Sequence, residues 1–254
     1  MAWDPNIYLS FEAERTRPAL ELLARVPNSS PANVVDLGCG PGNSTALLAA
    51  RWPHALVEGI DSSPDMLDEA AKSAVRAKWS QADIADWTPQ QKGDVIFANA
   101  AFQWVADHRT LLPRLMSFLD QNGTLAFQVP CNFDEPCHTL IQAVAREGSW
   151  APKLNGVRDW GHVCAPEDYF SMLEPHATRI DIWETRYLQV LEGEDAVFRW
   201  MSGTGLRPFA AALDGAERDT FLAEYKLRLA DAYPMRASGK TLYPFRRLFC
   251  VAIR

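Results

Sequence analysis

Val34-Val35-Asp36-Leu37-Gly38-Cys39-Gly40-Pro41-Gly42-Asn43-Ser44-Thr45 is the stretch whose reading decides the fold. Val34 and Val35 belong to an apolar run of the kind that forms a buried strand. Glycines then alternate at 38, 40 and 42, and Asn43 opens an amphipathic segment containing Leu47, Leu48 and Trp52. This is a strand, a tight turn and a helix start. Glycine serves where the backbone takes positive φ or lies against a ligand with no Cβ between them. A helix start adds unpaired N–H groups and a partial positive charge. A polar, nucleotide-like ligand is expected at this turn.

Spacing narrows the ligand. A dinucleotide fingerprint is G-x-G-x-x-G ahead of a helix that holds the pyrophosphate. Here the third glycine comes one residue early, and no Gly-Lys-Ser/Thr follows to make a P-loop. Asp36, at the strand end, would also disfavour a pyrophosphate. The run D-L-G-C-G-P-G resembles motif I of the class I S-adenosylmethionine-dependent methyltransferases. The resemblance implies that Asp36, Gly38, Gly40 and Gly42 cradle the methionine part of S-adenosyl-L-methionine, whose product is S-adenosyl-L-homocysteine.

Outward from the turn, strand and helix alternate from Asn33 to Pro130, the signature of a parallel sheet covered by helices. Ala55–Asp61 reads as the second strand. Ser63 is a good N-cap for the next helix, with Pro64 at its first position and Asp65 in its first turn. Trp79 and Ser80 fall in a short third strand, Asp94–Asn99 forms the fourth, and Thr124–Val129 the fifth. Arg179–Thr185 alternates like an antiparallel strand, and Leu248–Ile253 makes the last. The expected fold is α/β and Rossmann-like, as in class I methyltransferases: a seven-stranded, mostly parallel sheet with an antiparallel last strand, plus a helical cap. The expected division is an N-terminal arm and helix (1–28) over the active site, a cofactor-binding core (29–130), a helical insertion (131–175), a sheet strand (176–192), a helical cap (193–240) and a C-terminal core strand (241–254).

Composition removes several classes. The formal net charge is −7 with no basic run, so general attraction to nucleic acid or an anionic membrane is not expected. Five scattered cysteines make no C-x-x-C pair, which predicts neither a zinc site nor a disulfide framework. The start Met-Ala-Trp-Asp-Pro has no basic, apolar leader, and no apolar run approaches the ~18 residues of a membrane span. The expectation is a cytoplasmic monomer or weak dimer that binds no metal and acts on a small molecule.

Asp61 lies nineteen residues after Gly42, where Rossmann-like folds keep a carboxylate for the ribose hydroxyls. Met66 is either an adenine contact or core. Asp83-Ile84 resembles the superfamily's adenine-contacting pair, although Asp83 could equally cap its loop. Asn99-Ala100 ends the fourth strand, at the edge where open α/β sheets bind ligands, and the resemblance implies that its backbone holds the cofactor's amino group. N-A-A-F-Q-W-V resembles a small-molecule methyltransferase subgroup, which implies that Gln103 and Trp104 fall at the edge of the site. His108 is a general-base candidate or a cap for the following helix.

Three further stretches sharpen the resemblance. They are W-D-P-x-x-Y-L-x-F-E-x-E-R-T-R-P from Trp3, W-M-S-G-T-G-L-R-P-F from Trp200, and the terminal R-L-F-C-V-A. With N-A-A-F-Q-W-V they look like the trans-aconitate 2-methyltransferase family, over Trp3 to Ile253. One local oddity is Phe245-Arg246-Arg247, where the family pattern leads one to expect a proline before the last arginine, so the roles of Arg246 and Arg247 stay open. The resemblance implies O-methylation of one carboxylate of a small tricarboxylate to a monomethyl ester. A carboxylate of pKa ~4 is already ionised at neutral pH, so no catalytic side chain is expected beyond those that position the reactants. The non-reacting carboxylates call for cations: Arg207 first, then Arg158, His162, Arg15 and Lys240. Trp3, Tyr8, Trp104, Trp160, Trp200 and Tyr233 are candidate aromatic walls. Two other readings stay open: a methyltransferase for another acid or a quinone-like carbon, and a non-catalytic cofactor-binding protein.

Overall fold

The computed structural model describes residues 12–157 and 162–254, with side chains from residue 16 onward in the first helix. Its elements in chain order are α1 (Glu12–Arg25), β1 (Asn33–Leu37), α2 (Asn43–Arg51), β2 (Leu56–Asp61), α3 (Pro64–Ala71), β3 (Lys78–Gln81) and β4 (Gly93–Asn99). Then come α4 (His108–Ser117), β5 (Leu119–Pro130), α5 (Pro136–Glu147), α6 (Ala151–Leu154) and α7 (Pro166–Leu173). The chain ends with β6 (Arg179–Glu192), α8 (Ala196–Ser202), α9 (Arg207–Ala211), α10 (Gly215–Ala232) and β7 (Lys240–Ile253). Single 3-10 turns stand at Phe102–Trp104 and Glu174–His176.

The strands form one sheet in the order β3-β2-β1-β4-β5-β7-β6, with β1 to β5 parallel and β7 antiparallel to β5, as the alternation predicts. The order reverses between β1 and β4, and such a switch point opens a crevice at the carboxyl ends of the strands. β6 and β7 are longer than the apolar runs indicate, because their outer halves alternate buried and exposed residues instead of being apolar throughout.

The chain forms two compact units. The larger comprises residues 15–131, 162–185 and 247–254. Its core holds Leu37, Ile96, Phe102, Leu111, Leu115, Phe127, Tyr169 and Cys250, with α4 and α7 packed against it. Ser63 Oγ accepts from the Met66 N–H at 3.4 Å, so α3 begins where its cap, proline and first-turn aspartate place it. Among the described residues the smaller unit comprises 12–14, 132–157 and 186–246. Trp150 and Phe209 pack on Phe221, and Trp200 packs on Tyr243 and Phe245. Cys137, at the start of α5, gathers three tyrosines. Its N–H donates to Tyr233 Oη (3.1 Å), its carbonyl accepts from Tyr225 Oη (2.6 Å), and its Sγ lies 3.3 Å from Tyr243 Oη. Thus the 131–175 stretch is divided: α5 and α6 belong to the smaller unit and α7 to the larger.

Candidate active site

The glycine turn between β1 and α2 is held from two sides. The Gly38 and Cys39 N–H groups donate to the Ile60 carbonyl at 2.8 and 3.0 Å, which ties the turn to β2. Gly38 has φ +70°, and a Cβ there would stand 2.4 Å from the Cβ of Ala101. Gly42 has φ +92°, and a Cβ would meet the Trp79 ring at 2.8 Å. Gly42 also caps α2 through its backbone alone, with no side-chain hydrogen bond to the helix start. Such a start leaves N–H groups available to a ligand.

Two aspartates organise this turn. Asp36 is fully buried, and its Oδ2 accepts from Ser44 Oγ (2.7 Å) and Thr45 Oγ1 (2.6 Å) on α2. Its Oδ1 has no hydrogen-bond partner among the described residues. Burial pushes the carboxyl up from 3.8 to about 6, opposed by the two hydroxyls. A buried acceptor with a vacant oxygen beside a helix start suits a cationic ligand, and a phosphate would be repelled. Asp61 receives N–H groups from both loops: Gly40 to Oδ2 and Ser63 to Oδ1, each at 2.9 Å. The carboxylate expected to meet ribose therefore also locks the β1–α2 turn to the β2–α3 turn. Each of its oxygens retains acceptor capacity for a hydroxyl.

Around the cradle, Ile84 comes close to Gly38, its Cδ1 3.3 Å from the position of a Cβ there. Asp83 is exposed, and its Oδ1 accepts from the Ala85 N–H at 2.8 Å, so it caps its own loop. Met66 is half-buried in the first turn of α3. Asn99 ends β4, and Ala100 beyond it takes φ +54°, unusual for a residue other than glycine. Gln103 holds that strained bend, its Nε2 donating to the Ala100 carbonyl at 2.6 Å. The Gln103 Oε1 is buried and has no hydrogen-bond partner among the described residues. Sequence reasoning missed Arg114 on α4, which donates to the carbonyls of Ile84 (2.8 Å), Ala85 (2.6 Å) and Trp87 (2.6 Å) and so braces the Asp83-Ile84 loop. A lone arginine on an amphipathic helix carries no signal of that role.

The comparisons with known proteins fit this cradle. Residues 34–123, which contain it, match the methyltransferase domain family. A trans-aconitate 2-methyltransferase of Azoarcus sp. (strain BH72) is 48% identical over 252 residues, 99% of this chain and 99% of its own. The chain belongs to the trans-aconitate 2-methyltransferase family. A trans-aconitate 2-methyltransferase of Klebsiella pneumoniae (strain 342) is also 48% identical, over 98% of this chain and 97% of its own. Among solved structures, the YcgJ protein of Bacillus subtilis matches with a TM-score of 0.60 at 14% identity, over 94% of this chain and 98% of its own, and shares the fold.

The acceptor candidates of this family member are distributed as follows. Trp104 is 61% exposed at the end of the 3-10 turn next to Gln103, and His162 is half-buried in the same unit. Trp200 is buried in the smaller unit against Tyr243 and Phe245. Arg207 is exposed at the start of α9, and among the described residues no carboxylate pairs with it. Lys240 forms an ion pair with Glu192 at 3.4 Å. Arg15 lies on α1, with only its backbone described, whereas Trp3, Tyr8, Arg158 and Trp160 lie outside the described residues. Asn132 and Gln189, which carry no signal in the sequence, are buried in the smaller unit, and among the described residues neither Asn132 amide atom nor the Gln189 Nε2 has a hydrogen-bond partner.

His108 needs correction on both counts. It is buried, its Nε2 donates to the Phe102 carbonyl at 2.7 Å, and its Nδ1 accepts from Tyr169 Oη at 2.8 Å. Both ring nitrogens are engaged, and burial lowers its pKa, so the ring is held as a strut between Phe102 and Tyr169. The helix cap is its neighbour Asp107, whose Oδ1 accepts from the Thr110 N–H at 3.1 Å. His108→Phe is expected to lower stability by about 2 kcal/mol or more, because two buried polar groups lose their partner. The folded fraction should keep its turnover, as thermal unfolding and active-site titration would show.

Proposed function

We infer that this chain transfers a methyl group from S-adenosyl-L-methionine to one carboxylate of trans-aconitate, giving the monomethyl ester. The observation that carries the reading is identity of 48% along the whole length of named trans-aconitate 2-methyltransferases, through the smaller unit as well as the cradle. Asp36, Gly38, Gly40, Gly42, Asp61, Met66, Asp83, Ile84, Asn99, Ala100 and Gln103 would hold the cofactor. When bound, it supplies an electrophilic methyl group on a positively charged sulfur.

The rest follows from the chain's own residues. The acceptor carboxylate is ionised at neutral pH, so the engagement of both His108 nitrogens leaves no catalytic task undone. Binding and orientation carry the rate, and alignment of two reactants is worth ~7–11 kcal/mol. Ala100, strained and pinned by Gln103, is a rigid wall of the kind that alignment needs. Among the described residues no cluster could hold a metal, and no helix is long and apolar enough to cross a membrane. The scattered cysteines, with no C-x-x-C pair in the sequence, suit a reducing compartment. We take the protein to act in the cytoplasm on a small molecule, as a monomer or weak dimer.

An ester and a carbon-methylated product differ in one simple respect. Mild alkali should return the methylated product to the parent acid with release of methanol. A product stable to alkali would favour the carbon-methylating alternative. Arg207→Ala is expected to raise the KM for the acceptor severalfold with cofactor affinity unchanged, read by initial rates and calorimetry.

A further inference from the structure

Asn99 is the last residue of β4, and the cofactor reading uses its backbone and leaves its side chain unassigned. It stands directly across from Gln128 in the β4–β5 register, and the Gln128 Nε2 donates to its Oδ1 at 2.6 Å. The Gln128 Oε1 in turn accepts from Arg247 Nη1 on β7 at 3.0 Å. These bonds run in one sense only. A guanidinium donates and never accepts, so Gln128 turns its oxygen to Arg247 and its NH2 to Asn99. Asn99 then has to meet that NH2 with oxygen. Gln128 is 1% exposed and both ends of its amide are engaged, which shields the arrangement from solvent.

With its Oδ1 committed to β5, Asn99 presents Nδ2 on the other side of the planar amide. Asn99 is half-buried, and no described residue accepts from that NH2. Two residues further on, Ala101 packs against Gly38, so the donor stands where the carboxyl end of β4 meets the glycine turn. A fixed donor has no use for the cofactor's sulfonium or ammonium group, and it suits a carboxylate. Its neutrality matters as well. Methyl transfer removes charge from the attacking carboxylate, so a cation bound there would favour the reactant over the transition state. A neutral amide sets the carboxylate's direction with a weaker hold on its charge. We propose that Asn99 orients the acceptor carboxylate that is methylated, its Nδ2 donating to the oxygen that does not attack, and that Gln128 is a positioning residue that fixes the sense of the Asn99 amide. The attacking oxygen gains the methyl group, the sulfur keeps the electron pair of the broken bond, and no proton moves. The proposal deepens the carboxyl-methyltransferase reading and rests on it.

Initial rates with trans-aconitate, and calorimetry of trans-aconitate binding to the S-adenosylhomocysteine complex, test it together. Asn99→Ala should lower kcat/KM by about ten- to a hundredfold, the range of one lost hydrogen bond to a charged group. It should weaken trans-aconitate binding to the complex by at least about fivefold, with S-adenosylhomocysteine affinity within about threefold of wild type. Gln128→Glu keeps the size of the side chain and its link to Arg247, but meets Asn99 with an oxygen and so turns the NH2 inward. It should cost at least about tenfold in kcat/KM alone, and no more than about threefold on top of Asn99→Ala. The same cost in both backgrounds would make Gln128 a strut and overturn its assignment. Unchanged kcat/KM in Asn99→Ala overturns the proposal. A parallel loss of S-adenosylhomocysteine affinity also overturns it, because the donor would then belong to the cofactor's own carboxylate. If Asn99→Ala does not fold, Gln128→Glu decides: a tenfold loss with S-adenosylhomocysteine affinity kept supports the proposal, and no loss overturns it. A wild type that methylates no acid removes the functional reading and this assignment with it. A wild type active on trans-aconitate with an indifferent Asn99→Ala contradicts this assignment alone.

Discussion

Asp61→Ala is expected to weaken S-adenosylhomocysteine binding by well over tenfold, and to do so through two losses at once. The carboxylate accepts N–H groups from Gly40 and Ser63 at 2.9 Å each, so its removal unties the β1–α2 turn from the β2–α3 turn. It also removes the acceptors assigned to the ribose hydroxyls. Hydrogen bonds to a charged group contribute about 1.5–3 kcal/mol each, so one lost ligand contact already amounts to more than tenfold. Asp61→Asn separates the two roles. Its single amide oxygen can still receive one loop N–H, but its NH2 group faces the other as a donor. Calorimetry should place it between the wild type and Asp61→Ala. Affinity within twofold of wild type for Asp61→Ala would remove both assignments.

The second large effect is on pH. In the free protein Asp36 titrates at about 6, raised from 3.8 by burial. A raised carboxyl binds its proton more tightly in the folded chain than in the unfolded one. The free protein therefore loses stability as pH rises from about 4 to about 6, by up to about 3 kcal/mol, with no further change from this group above that window. A cofactor carrying positive charge favours the ionised form, so its binding expels the proton below pH 6. Apparent affinity should be flat above pH 7 and weaken by up to about tenfold per unit as pH falls through 6. Asp36→Asn should bind the cofactor at least about tenfold more weakly at pH 8, consistent with the loss of a buried charge-assisted contact, and should lose the slope near 6. A wild-type slope retained in Asp36→Asn would assign it to another group.

The cradle was legible because each of its parts is local. Gly38, Gly40 and Gly42 sit where a positive φ is required, Ser63 caps α3 as its spacing indicates, and Asp61 falls at the end of β2. The alternation of strands and helices likewise gave the parallel half of the sheet. What stayed hidden depends on partners distant in sequence. His108 reads from sequence as either a general base or a helix cap, and the partners that engage both of its nitrogens, Phe102 and Tyr169, are distant in the chain or fixed only by the fold. Arg114 braces carbonyls about 30 positions away, and Arg247 reaches Gln128 across 119 positions. A charged residue directly before the apolar run Leu248–Ile253 was the available signal for Arg247, and periodicity alone gives it no role.

The most direct measurement of the central claim is transfer of labelled methyl from S-adenosyl-L-methionine to a panel of mono-, di- and tricarboxylic acids, scored by kcat/KM. The expected result is highest efficiency with trans-aconitate and an alkali-labile monomethyl ester as product. Tight S-adenosylhomocysteine binding with no transfer to any acid on the panel would contradict it.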